Sequence, residues 1–146
     1  MRTKIYFLIS IILIILFIDK FFHTQSIEVI GKAIRTTNDQ SLIYSGRYKT
    51  LPIKGVKILA VQGKVIAFEN RVTIPIKDIK HPIFYSKTND NGVFILNIPP
   101  GIYTFFMMLN DKAYLNNFDG KGNFSSMKIN SRKDDLVLTD YRDSLF

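Results

Sequence analysis

Thr88-Asn89-Asp90-Asn91-Gly92-Val93-Phe94-Ile95-Leu96-Asn97-Ile98-Pro99-Pro100-Gly101-Ile102-Tyr103 is the stretch that decides how this chain is read. Asn, Asp and Gly tolerate positive φ, so residues 89–92 read as a tight hairpin turn between strands at 83–88 and 93–98. The residues after the turn alternate with a period of two, which places Phe94, Leu96 and Ile98 on one face of a strand. Pro99 and Pro100 have no backbone N–H to give to a ladder, so the chain must leave the sheet there. Gly101 permits the reversal. Tyr103 can then bury its ring while its hydroxyl bonds to backbone, as in the tyrosine corner of β-sandwiches.

Outward from this stretch the period stays at two. Residues 27–35 read as a first strand with Val29, Gly31 and Ala33 on one face. Residues 36–41 are polar turn material and 42–50 a loop. Leu51-Pro52-Ile53-Lys54-Gly55 reads as a turn into a strand at 56–61, where Val56, Ile58 and Ala60 alternate with Lys57, Leu59 and Val61. Residues 63–82 form a hairpin or an irregular insertion, which Pro75 and Pro82 confine to edge positions. Strands follow at 103–109, 112–115 and 123–129, and residues 136–138 close the series. No amphipathic helix is visible after residue 26. About seven short strands with turn signals between them predict an all-β fold, a single antiparallel sandwich.

Four motifs carry a resemblance: Gly31 with Ala33, the turn Leu51 to Val56 with Gly55, Thr88 to Phe94 with Gly92, and Ile98 to Tyr103 with Pro100 and Gly101. Together they resemble the carboxypeptidase regulatory-like family of transthyretin-like (prealbumin-like) β-sandwich modules, over residues 27–115. Ala33 stands where that family usually has Val, and an insertion at about 62–82 departs from its pattern. Residues 118–124 look like a tail found on some bacterial members. The resemblance implies structural roles for Gly31, Gly55, Gly92, Phe94, Pro100, Gly101 and Tyr103. It implies a folding, adhesion or recognition module, not a catalytic site.

The chain has 146 residues and a net charge of +8, with no cysteine and two histidines. That length supports one domain with a short extension. The composition excludes disulfides, thiolate zinc sites and cysteine nucleophiles. Arg2 and Lys4 precede an apolar run at residues 5–18 broken only by Ser10, with Asp19-Lys20 after it. A basic start before such a run matches a secretory signal. A full span needs about 20 apolar residues, which Phe21 and Phe22 would supply with Lys20 snorkelling to the headgroups. Thr24-Gln25-Ser26 is a poor cleavage site. Residues 1–26 therefore read as a hydrophobic helix serving as signal-anchor or signal peptide. Residues 27–146 lie outside the cytoplasm, membrane-anchored or, if cleaved, secreted. The cations are scattered, with Lys77, Lys80 and Lys87 the nearest thing to a patch, so no nucleic-acid face is expected. Such a surface can graze anionic headgroups.

Searches for chemistry find little. Tyr141-Arg142-Asp143-Ser144 nearly matches the Tyr-Arg-Gly-Ser terminus of 5-hydroxyisourate hydrolase, a transthyretin-fold enzyme, but that enzyme's first-strand histidine has no counterpart here. This alternative requires Arg142 and His81 to converge in one cleft. Asp134 and Asp135 point to opposite faces if extended. Asp119-Gly120-Lys121-Gly122-Asn123 has the flavour of a calcium loop without its closing Glu. No cofactor and no metal site is expected.

One apolar feature remains. If residues 93–109 form a hairpin, Val93, Ile95, Phe106 and Met108 make its second face apolar, where a water-facing sheet should be polar. Either the insertion covers this face, with Val65, Ile66, Phe68, Val72, Ile74 and Ile76, or a partner or self-association does. The chain is thus expected to be a non-catalytic binding or structural module, tethered through residues 5–18, with a protein or glycan partner. A regulatory subunit docking on another membrane or periplasmic protein is a further alternative.

Overall fold

The computed structural model describes residues 26–37 and 49–142; the apolar run at 5–18 and the helix expected there lie outside them. Ten strands are present among the described residues: β1 (Ile27–Thr37), β2 (Lys49–Pro52), β3 (Lys57–Gln62), β4 (Thr73–Pro75), β5 (Ile83–Lys87), β6 (Val93–Ile98), β7 (Gly101–Leu109), β8 (Lys112–Tyr114), β9 (Met127–Ile129) and β10 (Lys133–Asp140). The count exceeds the expected seven or so chiefly because β2, at residues read as loop and turn, and β4, in the insertion, are short strands of their own. The only helical pieces among these residues are two three-residue 3-10 turns. No helix among them is long and apolar enough to cross a membrane.

The strands form two sheets. In the first, β1 is central: β10 pairs along one side of it, and β6 and β2 pair with its first and second halves. In the second, β7 pairs with β3 and, on its other side, with β9 and β8; β5 lies outside β3 and β4 outside β8. One pairing departs from the antiparallel expectation. β10 runs parallel to β1, with a register shift between Val29 and Gly31. The fold is therefore an all-β sandwich that is mostly, not wholly, antiparallel.

Both turns of the deciding stretch are corners and not hairpins. β5 pairs with β3 and β6 with β1, so residues 89–92 carry the chain from the second sheet to the first. Residues 99–100 carry it back, because β7 pairs with β3. Local chemistry still builds each corner as its residues predict. The Asn89 side-chain oxygen accepts the N–H groups of Asn91 and Val93, and Gly92 N–H donates to the Asn89 carbonyl. Tyr103 is fully buried and its hydroxyl donates to the Pro99 carbonyl at 2.9 Å. Its ring lies over Gly101, where a Cβ would sit 3.2 Å from it.

The core between the sheets takes Val29, Ala33, Phe94, Leu96, Leu136 and Leu138 from the first and Ile58, Ala60, Tyr103, Phe105 and Met107 from the second. Two glycines admit this packing. A Cβ on Gly31 would stand 2.4 Å from the Phe94 ring and 2.6 Å from the Leu136 carbonyl. Gly92 has φ +72°, and a Cβ there would stand 2.6 Å from the Ala33 carbonyl. Gly55 makes the turn after β2 at positive φ. Thr88 closes that turn from inside: its hydroxyl donates to the Ile53 carbonyl at 2.7 Å and accepts the Val56 N–H at 2.9 Å.

Gly92 and Gly120 share nearly the same φ, but nothing lies within 4 Å of a Cβ at Gly120. Gly92→Ala should therefore lose roughly 2–4 kcal/mol of unfolding free energy, strain and overpacking together. Gly120→Ala should lose only about 1 kcal/mol, the conformational share. Urea denaturation of both variants checks the difference; equal losses would mean the Ala33 contact does not matter.

Candidate functional site

The four residues expected on one apolar face are divided between the two sheets. Phe106 and Met108 alternate outward on β7 with Tyr103, Phe105 and Met107 inward, so they belong to the outer side of the second sheet. Val93 and Ile95 alternate outward on β6 and belong to the outer side of the first. The single hairpin face is corrected because β6 and β7 are not ladder partners.

The outer side of the second sheet is covered. Phe106 is fully buried beneath the insertion, together with Leu59, Val61, Val65, Ile74 and Phe124. Two segments make the cover. Residues 63–82 leave β3 at Gly63, whose N–H donates to the Ile102 carbonyl at 2.7 Å. Thr104 returns a bond from its hydroxyl to the Gly63 carbonyl at 2.9 Å. Residues 115–126 supply Phe124, which meets Phe106 edge-on at 5.0 Å and stacks on Phe118 at 5.5 Å. The two segments are stitched together: Ala67 N–H donates to the Gly122 carbonyl, and Phe124 N–H to the Val65 carbonyl. β4 pairs with the far edge through Pro75, an edge place that suits a residue without a donor.

Asp119 holds the 115–126 cover in shape. Its carboxylate accepts the N–H groups of Lys121 and Asn123 and the Asn123 side-chain amide at 2.8–3.1 Å. Those hydrogen bonds, the Asn123 amide first, keep its carboxyl below the ordinary Asp value. The loop with a calcium flavour thus uses its carboxylate within its own turn.

The outer side of the first sheet has no such cover among the described residues. Ile95 is 51% exposed and Val137 53% exposed. Ile30 stands opposite Ile95, and Lys32 stands opposite Val93 on one side and Val137 on the other. A shallow groove lies beside them, bordered by Asp134 and Asp135. Lys133 pairs with Asp135 at 2.6 Å and, first by hydrogen bond and then by charge, holds that carboxyl below its ordinary value. Ile30, Ile95 and Val137 thus form an apolar row with Lys32 and the two carboxylates at its rim.

The residues of the hydrolase alternative stay apart. His81 lies beside Gly63, at the end of β3 and β7 marked by Gln62 and Tyr103. Arg142 lies over the Tyr114 ring, and Tyr114 stands opposite Met107 near the other end of β7. Arg142 is engaged with Asp140, donating to both carboxylate oxygens at 3.0 Å, while Tyr141 N–H donates to the Tyr114 hydroxyl. Asp143 and Ser144 lie outside the described residues.

Asp140 itself was not singled out by the sequence. It is wholly buried at the end of β10 and also accepts a bond from Arg35 at 3.1 Å. Burial pushes its carboxyl up; the bonds and charge of Arg142, with Arg35, outweigh that and hold it below its ordinary value near 3.8.

No family model and no curated protein matches the chain. A solved structure it resembles is a crystal structure from Pseudomonas aeruginosa described as a "putative carbohydrate binding protein". That match is 13% identical, with a TM-score of 0.46, covering 80% of this chain and 90% of that one.

Two measurements test this account. Phe106→Asp should fail to fold rather than change the oligomeric state, because a charge would replace a ring sealed under the cover; a soluble, folded variant would show the cover to be dispensable. For Asp140 the folded carboxyl binds protons less well than the unfolded one, so its contribution is full above the ordinary value and is lost below it, as pH falls through the lower folded value. The thermal midpoint should hold from neutral pH down to about pH 5 and drop as the pH falls below about 4, and Asp140→Asn, less stable at neutral pH, should lose part of that drop.

Proposed function

We propose that this chain is a membrane-tethered, extracytoplasmic β-sandwich of the carboxypeptidase regulatory-like, transthyretin-like kind. Its work is non-catalytic: it presents the outer side of its first sheet to a protein or glycan partner. One observation carries the reading. The chain spends an insertion and a tail segment covering the apolar outer side of one sheet, and leaves the apolar row Ile30, Ile95 and Val137 on the other uncovered among the described residues. Selection for solubility alone would favour polar residues in that row. The motifs at residues 88–94 and 98–103 support the family assignment. The basic start and apolar run at 5–18 support the tether.

The chain has no cysteine, so one placed at exposed Asn130 is a unique label. In a bacterial host the whole chain should stay with the membrane fraction through an alkaline wash. Asn130→Cys should react with an impermeant maleimide on intact spheroplasts; reaction only after lysis would overturn the extracytoplasmic reading. A photo-crosslinking residue at position 95 should capture a discrete product that Val137→Asp abolishes. Because both positions are exposed, Val137→Asp should change stability by no more than about 0.5 kcal/mol. Capture unaffected by Val137→Asp would remove this face from the function.

A further inference from the structure

Ile66 and Phe68 are the most exposed large apolar side chains among the described residues, at 58% and 67%. They stand two residues apart on the segment that covers the second sheet, and neither is needed for that cover: Val65 and Ala67, between and beside them, point inward and are buried. Exposed lysines surround them. Lys64 precedes them, and Lys80 lies across a shallow groove between the start and the return of the insertion. Lys80 donates to the Lys77 backbone carbonyl, and exposed Lys77 lies on the same short segment. Ala67 bonds to Gly122, which brings exposed Lys121 alongside. Of the nearby acids, Glu69 is paired with Arg71, Asp119 is ionised within its own turn and acts on Lys64, and Asp78 borders the groove, so Lys64, Lys77, Lys80 and Lys121 outnumber the carboxylates left beside them. An exposed aromatic and an exposed aliphatic among lysines is the pattern of a surface that dips apolar groups below an anionic headgroup layer.

The place of this patch in the fold points the same way. β1 begins at Ile27, which pairs with Ile98 immediately before the Pro99–Pro100 corner. Gly63 and Pro82, where the insertion leaves and rejoins the second sheet, are at that same end: Gly63 bonds Ile102, and Gln62 bonds Pro82. Ile102, 45% exposed, stands opposite Lys128 there. Residues 19–26, between the apolar run and β1, reach at most about 28 Å when fully extended. A sandwich of this size has a radius of gyration of about 14 Å. A chain tethered through residues 5–18 therefore begins its domain within about 28 Å of the bilayer, which leaves this end within reach of the lipid.

We infer that the Ile66–Phe68 tip of the insertion, with Lys64, Lys77 and Lys80, rests on the anionic surface of the bilayer into which the chain is tethered. The inference rests on the tether proposed above. It turns the outer side of the first sheet, on the opposite side of the sandwich, away from the lipid and toward the surroundings.

The chain contains no tryptophan, so Phe68→Trp gives a unique reporter. Full-length Phe68→Trp is reconstituted into phosphatidylcholine vesicles with and without phosphatidylglycerol, alongside Ile95→Trp as the reporter on the opposite side. With phosphatidylglycerol, emission at position 68 should shift to the blue and be quenched several-fold more by shallowly brominated lipid than emission at position 95. Lys64→Glu with Lys80→Glu should remove the difference while the protein still floats with the vesicles. A chain that floats with position 68 unquenched overturns the headgroup contact and leaves the tether standing. A chain that does not float overturns the tether and the contact with it. A blue shift at position 68 that is the same with and without phosphatidylglycerol and that brominated lipid does not quench marks burial against protein, and overturns the contact as well.

Discussion

The fold turns on a close approach at Gly31. Here β1 must pass beneath the ring of Phe94 on β6 while accepting β10 on its other side, and a single methyl group would collide with both the ring and the Leu136 carbonyl. Everything else follows from that junction. Because the Phe94 ring can come so near β1, it joins Val29, Ala33, Leu136 and Leu138 in the core. Because the Leu136 backbone can come so near, β10 finds a parallel register beside the strand that begins the domain. The shift in that register, between Val29 and Gly31, is the local cost of fitting the two strands together.

What could be read from the sequence was local. Asn89, Pro99 and Tyr103 bond within a few residues of themselves, Asn89 to the N–H groups of Asn91 and Val93 and Tyr103 to the Pro99 carbonyl, whereas Gly101, expected at a reversal, is the first residue of β7. Period-two alternation also put Phe94, Leu96 and Ile98 correctly on the inner face. Alternation names the face of a strand and says nothing of its partner, however, so two sheet-to-sheet corners read as two hairpins. That single ambiguity merged Val93 and Ile95 with Phe106 and Met108, which lie on opposite outsides of the sandwich. The parallel pairing of β1 with β10 joins residues about a hundred positions apart and left no local mark. Asp140 could have been found: it continues the inward alternation of Leu136 and Leu138, and a carboxylate in such a series needs partners.

The insertion and the tail segment show why the outer side of the second sheet can be so apolar. Neither segment has a regular element long enough to stand alone. Each uses the other's backbone groups to satisfy its own, and together they trap Phe124 and Phe118 over Phe106. The cover behaves as a third layer made of loops, and it frees the tips of its own side chains, such as Phe68, from any duty in packing. The first sheet has no equivalent layer among the described residues.

The parallel pairing also has a mechanical meaning. β1 is the strand nearest the N-terminal run and β10 the strand nearest the C-terminus, and they lie side by side pointing the same way. A pull between the segment before Ile27 and the segment after Asp140 would slide the two strands along their length. Their hydrogen bonds would then bear the load together, not open one after another from an end. A domain held at one terminus and tugged at the other is, by this geometry, built to resist shear, with the Arg35–Asp140 pair as a pin at the loaded end.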